Sequence, residues 1–265
     1  MTSGPVDVVT TEHLTSFRDL GWVRLAGALD TETMTSLAAW ADDLETWSAR
    51  GEPGLHHFEG TDAGPVIART EHFADDHPGL AAFVTSGVVT EVLAALLGEP
   101  VTLFKEKLNY KQPGGAGFAP HQDATAYRFV DHHVSVMVPI DPSTLRSGCL
   151  FFAPGHRGGL MPTDERGRVD AQHAATLIWE PIEAEPGDLV VFDSYAPHYS
   201  DTNHTGRPRR ALYLTYNTAA RGDHRVAYYE DKAAEFGREG GTFDDERVRM
   251  SINDDFLGRP VEAPR

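Results

Sequence analysis

The chain has 265 residues, of which 40% are hydrophobic and 24% charged; this balance buries a core and excludes a disordered or membrane-embedded polypeptide. The formal charge of −17 excludes nucleic acid and anionic membrane as partners, because both need basic surface, and an anionic ligand would require locally concentrated positive charge. The single cysteine, Cys149, excludes an internal disulfide framework. No apolar run reaches the roughly 18 residues a membrane helix needs, and "MTSGPVDVVTTEH" has neither the basic start nor the apolar stretch of a secretion signal. A cytoplasmic protein is the expectation.

In chain order, "TEHLTSFRDLG" carries a threonine cap, helical apolar spacing and a terminal glycine. "GWVRLAG" is a short strand. "DTETMTSLAAWADDLETWSARG" repeats the helical plan with Asp30 or Thr31 as cap and Gly51 as stop. "GLAAFVTSGVVTEVLAALLGEP" reads as two further helical pieces. From about residue 101 the texture changes. "VTLFKEKLNYK", "HHVSVMVPID", "GCLFFAPG", "ATLIWEPIEA", "GDLVVFDS" and "RRALYLTYN" are short, β-rich and separated by Gly and Pro. That many segments in one stretch suggest a sandwich or barrel. The expected fold is α+β, mainly β, with N-terminal helices packed on a β core. One domain is expected over residues 1–265: a helical part to about residue 100, the β core over about 101–220 and a closing segment over about 221–265.

"PHQD" places His121 and Asp123 two apart. On an extended segment such residues point the same way while Gln122 points elsewhere. An imidazole with a carboxylate is a mixed N,O pair suited to Fe²⁺, Mn²⁺ or Zn²⁺. Alone, H-x-D is a weak signal and needs a second histidine from a distant strand. His198, just beyond "DLVVFDS", is the best placed. His132 and His133 sit in a connection before a strand, His156 in a Gly-rich turn, His173 and His204 in polar loops, and His56 and His57 ahead of the β core. Eleven residues after His198, Arg209 opens the strand "RRALYLTYN". Arginine captures carboxylates in bidentate fashion, so it could anchor the far end of a dicarboxylic cosubstrate. The alternative is that Arg207, Arg209 and Arg210 form a solvated basic turn, which is the better reading of the run taken alone.

Together these motifs resemble the phytanoyl-CoA dioxygenase family of Fe(II)/2-oxoglutarate oxygenases, over nearly the whole chain. "FRDLGWVRLAGALDTETMTSL", "PHQDATAY", "SGCLFFAPGHRGG" and "GDLVVFDSYAPHYSDTNHTGRPRRAL" follow the family's order and spacing. The resemblance implies a double-stranded β-helix (jelly-roll) core. It implies Fe(II) held by His121, Asp123 and His198, with O₂ and 2-oxoglutarate as cosubstrates. It implies that the far carboxylate of 2-oxoglutarate is bound by Arg209 with Ser200 nearby. "PGHRGG" lacks the family's usual serine and "RSGCL" has Arg-Ser where the family often has Glu-Asn, which puts local turn shape in doubt. A halogenase would have a small residue in place of Asp123, so halogenation is disfavoured. The implied reaction releases succinate and CO₂ and hydroxylates an unactivated C–H. Desaturation, epimerisation or cyclisation would use the same residues, and a catalytically silent jelly-roll module is a rival that retention of all three ligands argues against.

The substrate is expected to be a small polar or anionic molecule. On "LFKEKLNYK", Lys105, Lys107 and Asn109 share one face, either as guards on an edge strand or as an electropositive wall. The second reading assigns Lys105 and Asn109 to the cosubstrate and Lys107, Tyr127, Arg128 and Trp179 to the substrate. Trp179, Tyr127 and Tyr216 are also candidates for simple core packing. The segment is similar to that of bacterial family members that hydroxylate small phosphonates; natural-product tailoring is the other substrate class expected. "RVAYYEDK" and "SINDDFLGRP" are expected to close over the barrel. No partner beyond the small molecule is expected, and monomer and homodimer stay open.

Overall fold

The computed structural model describes residues 8–61, 64–126, 129–155, 159–165 and 167–238. The first helix, α1 (Thr11–Leu20), starts at a Thr10–His13 capping box and ends on Gly21 at φ 88°. Strand β1 (Trp22–Leu25) follows, then α2 (Thr31–Arg50), whose cap Asp30 accepts from the Thr33 N–H and whose stop is Gly51. The expected helical first third is interrupted here: Leu55–Thr61 (β2) and Gly64–Glu71 (β3) form a hairpin. The hairpin has no clean alternation to announce it, because its residues become buried by joining a sheet built from later strands.

Helices α3 (Pro78–Thr85) and α4 (Val88–Leu97) come next. Contrary to the sequence expectation, Pro78–Leu97 is a 20-residue stretch long and apolar enough to cross a membrane. The backbone breaks it at Gly87, φ 79° and ψ −150°, and Leu80, Val84, Val89, Val92 and Leu93 are buried in the protein core.

The β core consists of β4 (Val101–Lys111), β5 (Phe118–His121), β6 (Val134–Pro139), β7 (Leu150–Phe152), β8 (Glu180–Ile182), β9 (Leu189–Asp193), β10 (His198–Ser200) and β11 (Arg209–Thr218). A one-turn helix, α5 (Ala171–Ala174), lies between β7 and β8, and α6 (Arg225–Arg238) follows β11. The large sheet runs β1-β9-β6-β11-β4-β3-β2 and the small one β5-β10-β7-β8. The strand pairings are antiparallel, as a jelly roll requires.

The large sheet is covered on both faces, and alternation sorts its residues. Val134, Val136, Val138, Leu189, Val191, Leu212, Leu214 and Tyr216 pack toward the helices with Leu37, Leu44 and Leu93. Met137, Val190, Phe192, Ala211 and Tyr213 pack toward the small sheet with Leu150 and Phe152. Along β4 the two sets diverge in chemistry. Leu108 and Tyr110 join the helix-side core, whereas Lys105, Lys107, Asn109 and Lys111 alternate onto the interior. Because β4 lies between β11 and β3, its lysines do not guard an edge.

Candidate active site

His121 and His198 face one another across the β5–β10 ladder, with ring centroids 4.2 Å apart. Asp123 reaches them by a different route from the one expected. It opens a 3-10 turn, Asp123–Ala126, directly after β5, so it is this turn rather than strand alternation that brings it round. Asp123 Oδ1 lies 3.7 Å from His121 Nε2 and 3.9 Å from His198 Nε2. One ligand atom from each of the three residues lies within 4.8 Å of the others, and all three residues are buried.

The second atoms of these side chains are already engaged. His121 Nδ1 lies 2.7 Å from the Ala119 carbonyl and His198 Nδ1 3.0 Å from the Ala196 carbonyl. In both rings Nδ1 therefore donates and Nε2 presents its lone pair to the centre. Ser135 Oγ donates to Asp123 Oδ2 at 3.1 Å and is 3.1 Å from Thr215 Oγ1, leaving Oδ1 toward the imidazoles. Burial, then the neighbouring imidazole, pushes His121 down to about 3; burial also lowers His198. Burial opposes ionisation of Asp123, yet His198, His121 and the nearby lysines hold its carboxyl below the usual range. Two neutral imidazoles and a carboxylate form the donor set that fits a divalent iron centre with open positions.

Gln122 is more than a spacer. It is fully buried. Its Nε2 donates to the carbonyls of Tyr195 at 2.7 Å and Gly159 at 3.0 Å, and its Oε1 accepts from Met161 N–H at 2.7 Å. It thereby ties the β5 end to the loop ahead of His198. The sequence carries no signal for this, because the partners are backbone groups far along the chain.

At the start of β11, alternation separates the basic run. Arg210 turns outward to Asp141 at 2.8 Å and to Asp42, whereas Arg209 is buried. Arg209 Nη1 makes a long 3.4 Å contact to Tyr213 Oη, and its Nε has no hydrogen-bond partner among the described residues. Among the described residues no carboxylate pairs with it. Such a cation is costly to bury unless an anion meets it, and the far carboxylate of 2-oxoglutarate fits that need. Lys111, which pairs with Arg209 across the β4–β11 ladder, donates to Ser200 Oγ at 2.8 Å and to the carbonyls of Asp201 and Gly148 at 2.5 and 3.2 Å. The Phe118 N–H also points at Ser200 Oγ, at 3.4 Å, so the Ser200 hydroxyl proton remains for an acceptor. Burial, then Arg209, pushes Lys111 down to about 6. Lys111 was legible as the next member of the alternating row on "LFKEKLNYK".

Further along the interior, Asn109 Oδ1 accepts from Arg69 Nε at 3.1 Å. Lys105 lies over the Tyr228 ring at 5.6 Å and Lys107 over the Tyr213 ring at 5.3 Å. Burial pushes Lys105 down to about 8. It also pushes Lys107 well below its usual value, with Arg69 and Lys105 adding to the effect. The hairpin contributes Arg69, Glu71 and His57, a cluster that the helical reading of this region missed. His57, set aside in the sequence as lying ahead of the core, is buried beside Glu71.

Trp179 is placed elsewhere. It packs edge-on against Tyr199 at 5.0 Å, and Tyr199 alternates to the face of β10 opposite His198. Both line an open groove of about 510 Å³ outside the small sheet, with Pro120 and Ala175. Tyr216 donates to the Val84 carbonyl at 2.7 Å within the helix-side core and is a packing residue. Tyr127 and Arg128 lie outside the described residues, as does "SINDDFLGRP".

Residues 17–211 match the family described as Phytanoyl-CoA dioxygenase (PhyH). The chain belongs to the phytanoyl-CoA dioxygenase family. It is 41% identical to a methylphosphonate hydroxylase of Gimesia maris over 96% of this chain and 98% of that one. It is 36% identical to a 2-aminoethylphosphonate dioxygenase from the uncultured bacterium HF130_AEPn_1, over 96% and 98% respectively. Among solved structures, the epimerase SnoN in complex with Fe³⁺, alpha ketoglutarate and nogalamycin RO superposes with a TM-score of 0.68 at 21% identity, covering 78% of this chain and 83% of that one; this likeness bears on the fold. As a member of the family with an intact His-Asp-His cluster, the protein is an Fe(II)- and 2-oxoglutarate-dependent dioxygenase acting on a small molecule.

Proposed function

We propose that this dioxygenase hydroxylates a C–H bond of a small phosphonate, with His121, Asp123 and His198 holding the iron, Arg209 and Ser200 receiving the far carboxylate of 2-oxoglutarate, and Lys107 receiving the anionic group of the substrate. The observation that carries the reading is the convergence of the three neutral or anionic ligands with a buried arginine that has no carboxylate partner among the described residues and a row of interior lysines on β4. The two relatives that match over nearly full length are named for phosphonates, which supports that substrate class.

Bound iron, with 2-oxoglutarate and O₂, supplies the oxidising chemistry and releases succinate and CO₂. The chain supplies placement. Nδ1 contacts to Ala119 and Ala196 keep both Nε2 lone pairs aimed inward, and Ser135 holds Asp123 from behind. Arg209 orients the cosubstrate through paired charge-assisted hydrogen bonds. Lys107 is half-buried and makes no hydrogen bond or ion pair among the described residues; an anion there would restore its charged form. The buried, free Cys149 fits the reducing, cytoplasmic setting expected.

The test is succinate release under air with Fe(II), ascorbate, 2-oxoglutarate and a panel of phosphonates, alongside the visible spectrum on adding 2-oxoglutarate to the anaerobic iron protein. The proposal expects a charge-transfer band and phosphonate-dependent succinate with a product one oxygen heavier. A band with no response to any phosphonate removes the substrate assignment; no band removes the cosubstrate assignment.

A further inference from the structure

We infer that Lys232, on the C-terminal helix, is a specificity-determining residue: it occupies the carboxylate beside Lys107 that a substrate ammonium would otherwise use, so the site selects phosphonates with an uncharged organic group over aminoalkyl phosphonates. This rests on the phosphonate reading above.

Among the described residues, Asp123 and Glu71 are the carboxylates with the strongest pull on Lys105 and Lys107. Asp123 is committed to the metal-ligand cluster on one oxygen and to Ser135 on the other. Glu71 stands in register with Lys107 on the neighbouring strand and is 1% exposed. Its Oε1 accepts from Arg69 Nη1 at 3.1 Å and lies 3.2 Å from His57 Nε2. Its Oε2 accepts from Lys232 Nζ at 2.6 Å. An ammonium entering beside Lys107 would meet Lys105, Arg69 and Lys232 with Glu71 already spoken for, and like charges in a dry interior repel strongly. A methyl or short alkyl group carries no such penalty, while a phosphonate dianion gains from the same cations.

Lys232 differs from the other members of the cluster because it is not a barrel residue. It arrives from α6, which is seated by Arg225 on Glu106 at 2.6 and 3.0 Å and on Asp75 at 2.8 Å. Tyr229 of the same helix lies against the Glu106 backbone and stacks on His72. Replacing Lys232 removes the cation from Oε2 without touching the sheet that carries Glu71.

The experiment compares kcat/KM for methylphosphonate and 2-aminoethylphosphonate, by succinate release and ³¹P NMR of the products, in wild type, Lys232→Met and Lys232→Arg. Wild type is expected to favour methylphosphonate by about tenfold or more, the scale of one charged contact. Lys232→Met should narrow that ratio by about tenfold, and Lys232→Arg should retain it. Wild type favouring the aminoethyl compound overturns the inference and leaves the phosphonate reading standing. So does Lys232→Met with native melting and iron titration but an unchanged ratio. Succinate release that neither phosphonate accelerates overturns both. Should the methionine variant not fold, Lys232→Gln takes its place, and an unchanged ratio in it overturns the inference in the same way.

Discussion

The chemistry of this protein turns on where second atoms go. His121 and His198 stand out in the sequence by the motifs around them, and in the fold a backbone carbonyl behind each Nδ1 turns Nε2 toward the centre. Arg209 and Arg210 are adjacent, yet one faces the interior with no acidic partner among the described residues and the other an external pair of aspartates. Arg209→Ala is therefore expected to raise the KM for 2-oxoglutarate by about 10–100-fold, the cost of one charge-assisted pair, with iron titration unchanged. Gln122→Leu strands two carbonyls and one N–H inside the protein and should cost about 2–4 kcal/mol by urea unfolding. It should also weaken iron binding, because the β5 end and the loop before His198 lose their tie; unaltered iron affinity would show that Gln122 braces the fold alone.

Among the elements, β4 does two jobs by alternation. Its helix-facing side chains, Leu108 and Tyr110, belong to the core, and its interior side chains form the cationic wall. The polar row was legible in "LFKEKLNYK"; its location was not, because only pairing with β3 and β11 shows that the strand is central. Lys105→Ala and Lys107→Ala should each raise the KM for a phosphonate while leaving iron binding intact, and unchanged kinetics in both would remove the wall from substrate binding. The β6–β7 connection depends on Gly148, which sits at φ 75°. A Cβ there would come within 2.2 Å of the Asp201 carbonyl and 3.0 Å of Lys111 Nζ. Gly148→Ala should lower the melting temperature and displace Lys111 from Ser200, seen as weaker 2-oxoglutarate binding. The sequence marked this turn only as a departure from the family pattern.

For the whole molecule, burial of neutral histidines sets the pH dependence of stability. His57 is held at about 4, His121 at about 3 and His133 at about 3, mainly by burial. Their folded values lie below the unfolded one, so as pH falls below about 6.5 the unfolded chain takes up protons that the folded chain refuses. The iron-free protein should thus lose about 1 kcal/mol per pH unit for each such histidine between pH 6.5 and 4.5, read as a falling melting temperature. Saturating Fe(II) should offset part of that loss by binding the folded state. A melting temperature flat from pH 7 to 5 in the iron-free protein would show that these rings are hydrated.

Local pattern, and spacing that the family shares, were enough for the glycine stops of α1 and α2, the six β segments from residue 101 and the candidates His121, Asp123, His198 and Arg209; the cap of α1 falls on Thr10, one residue ahead of the expected stretch, and the cap of α2 is Asp30 of the two residues left open. The sequence by itself left Glu71, His57, Gln122 and Lys232 unmarked and put Trp179 in the pocket. Those are decided by tertiary structure: the β2–β3 hairpin becomes part of the core only by pairing with β4, Gln122 finds its partners in distant loops, α6 brings Lys232 back across the barrel, and the strand that sets the side of Tyr199 sets the side of Trp179. Local pattern encodes which residues can do chemistry; which of them face the same space follows from long-range pairing that no local stretch contains.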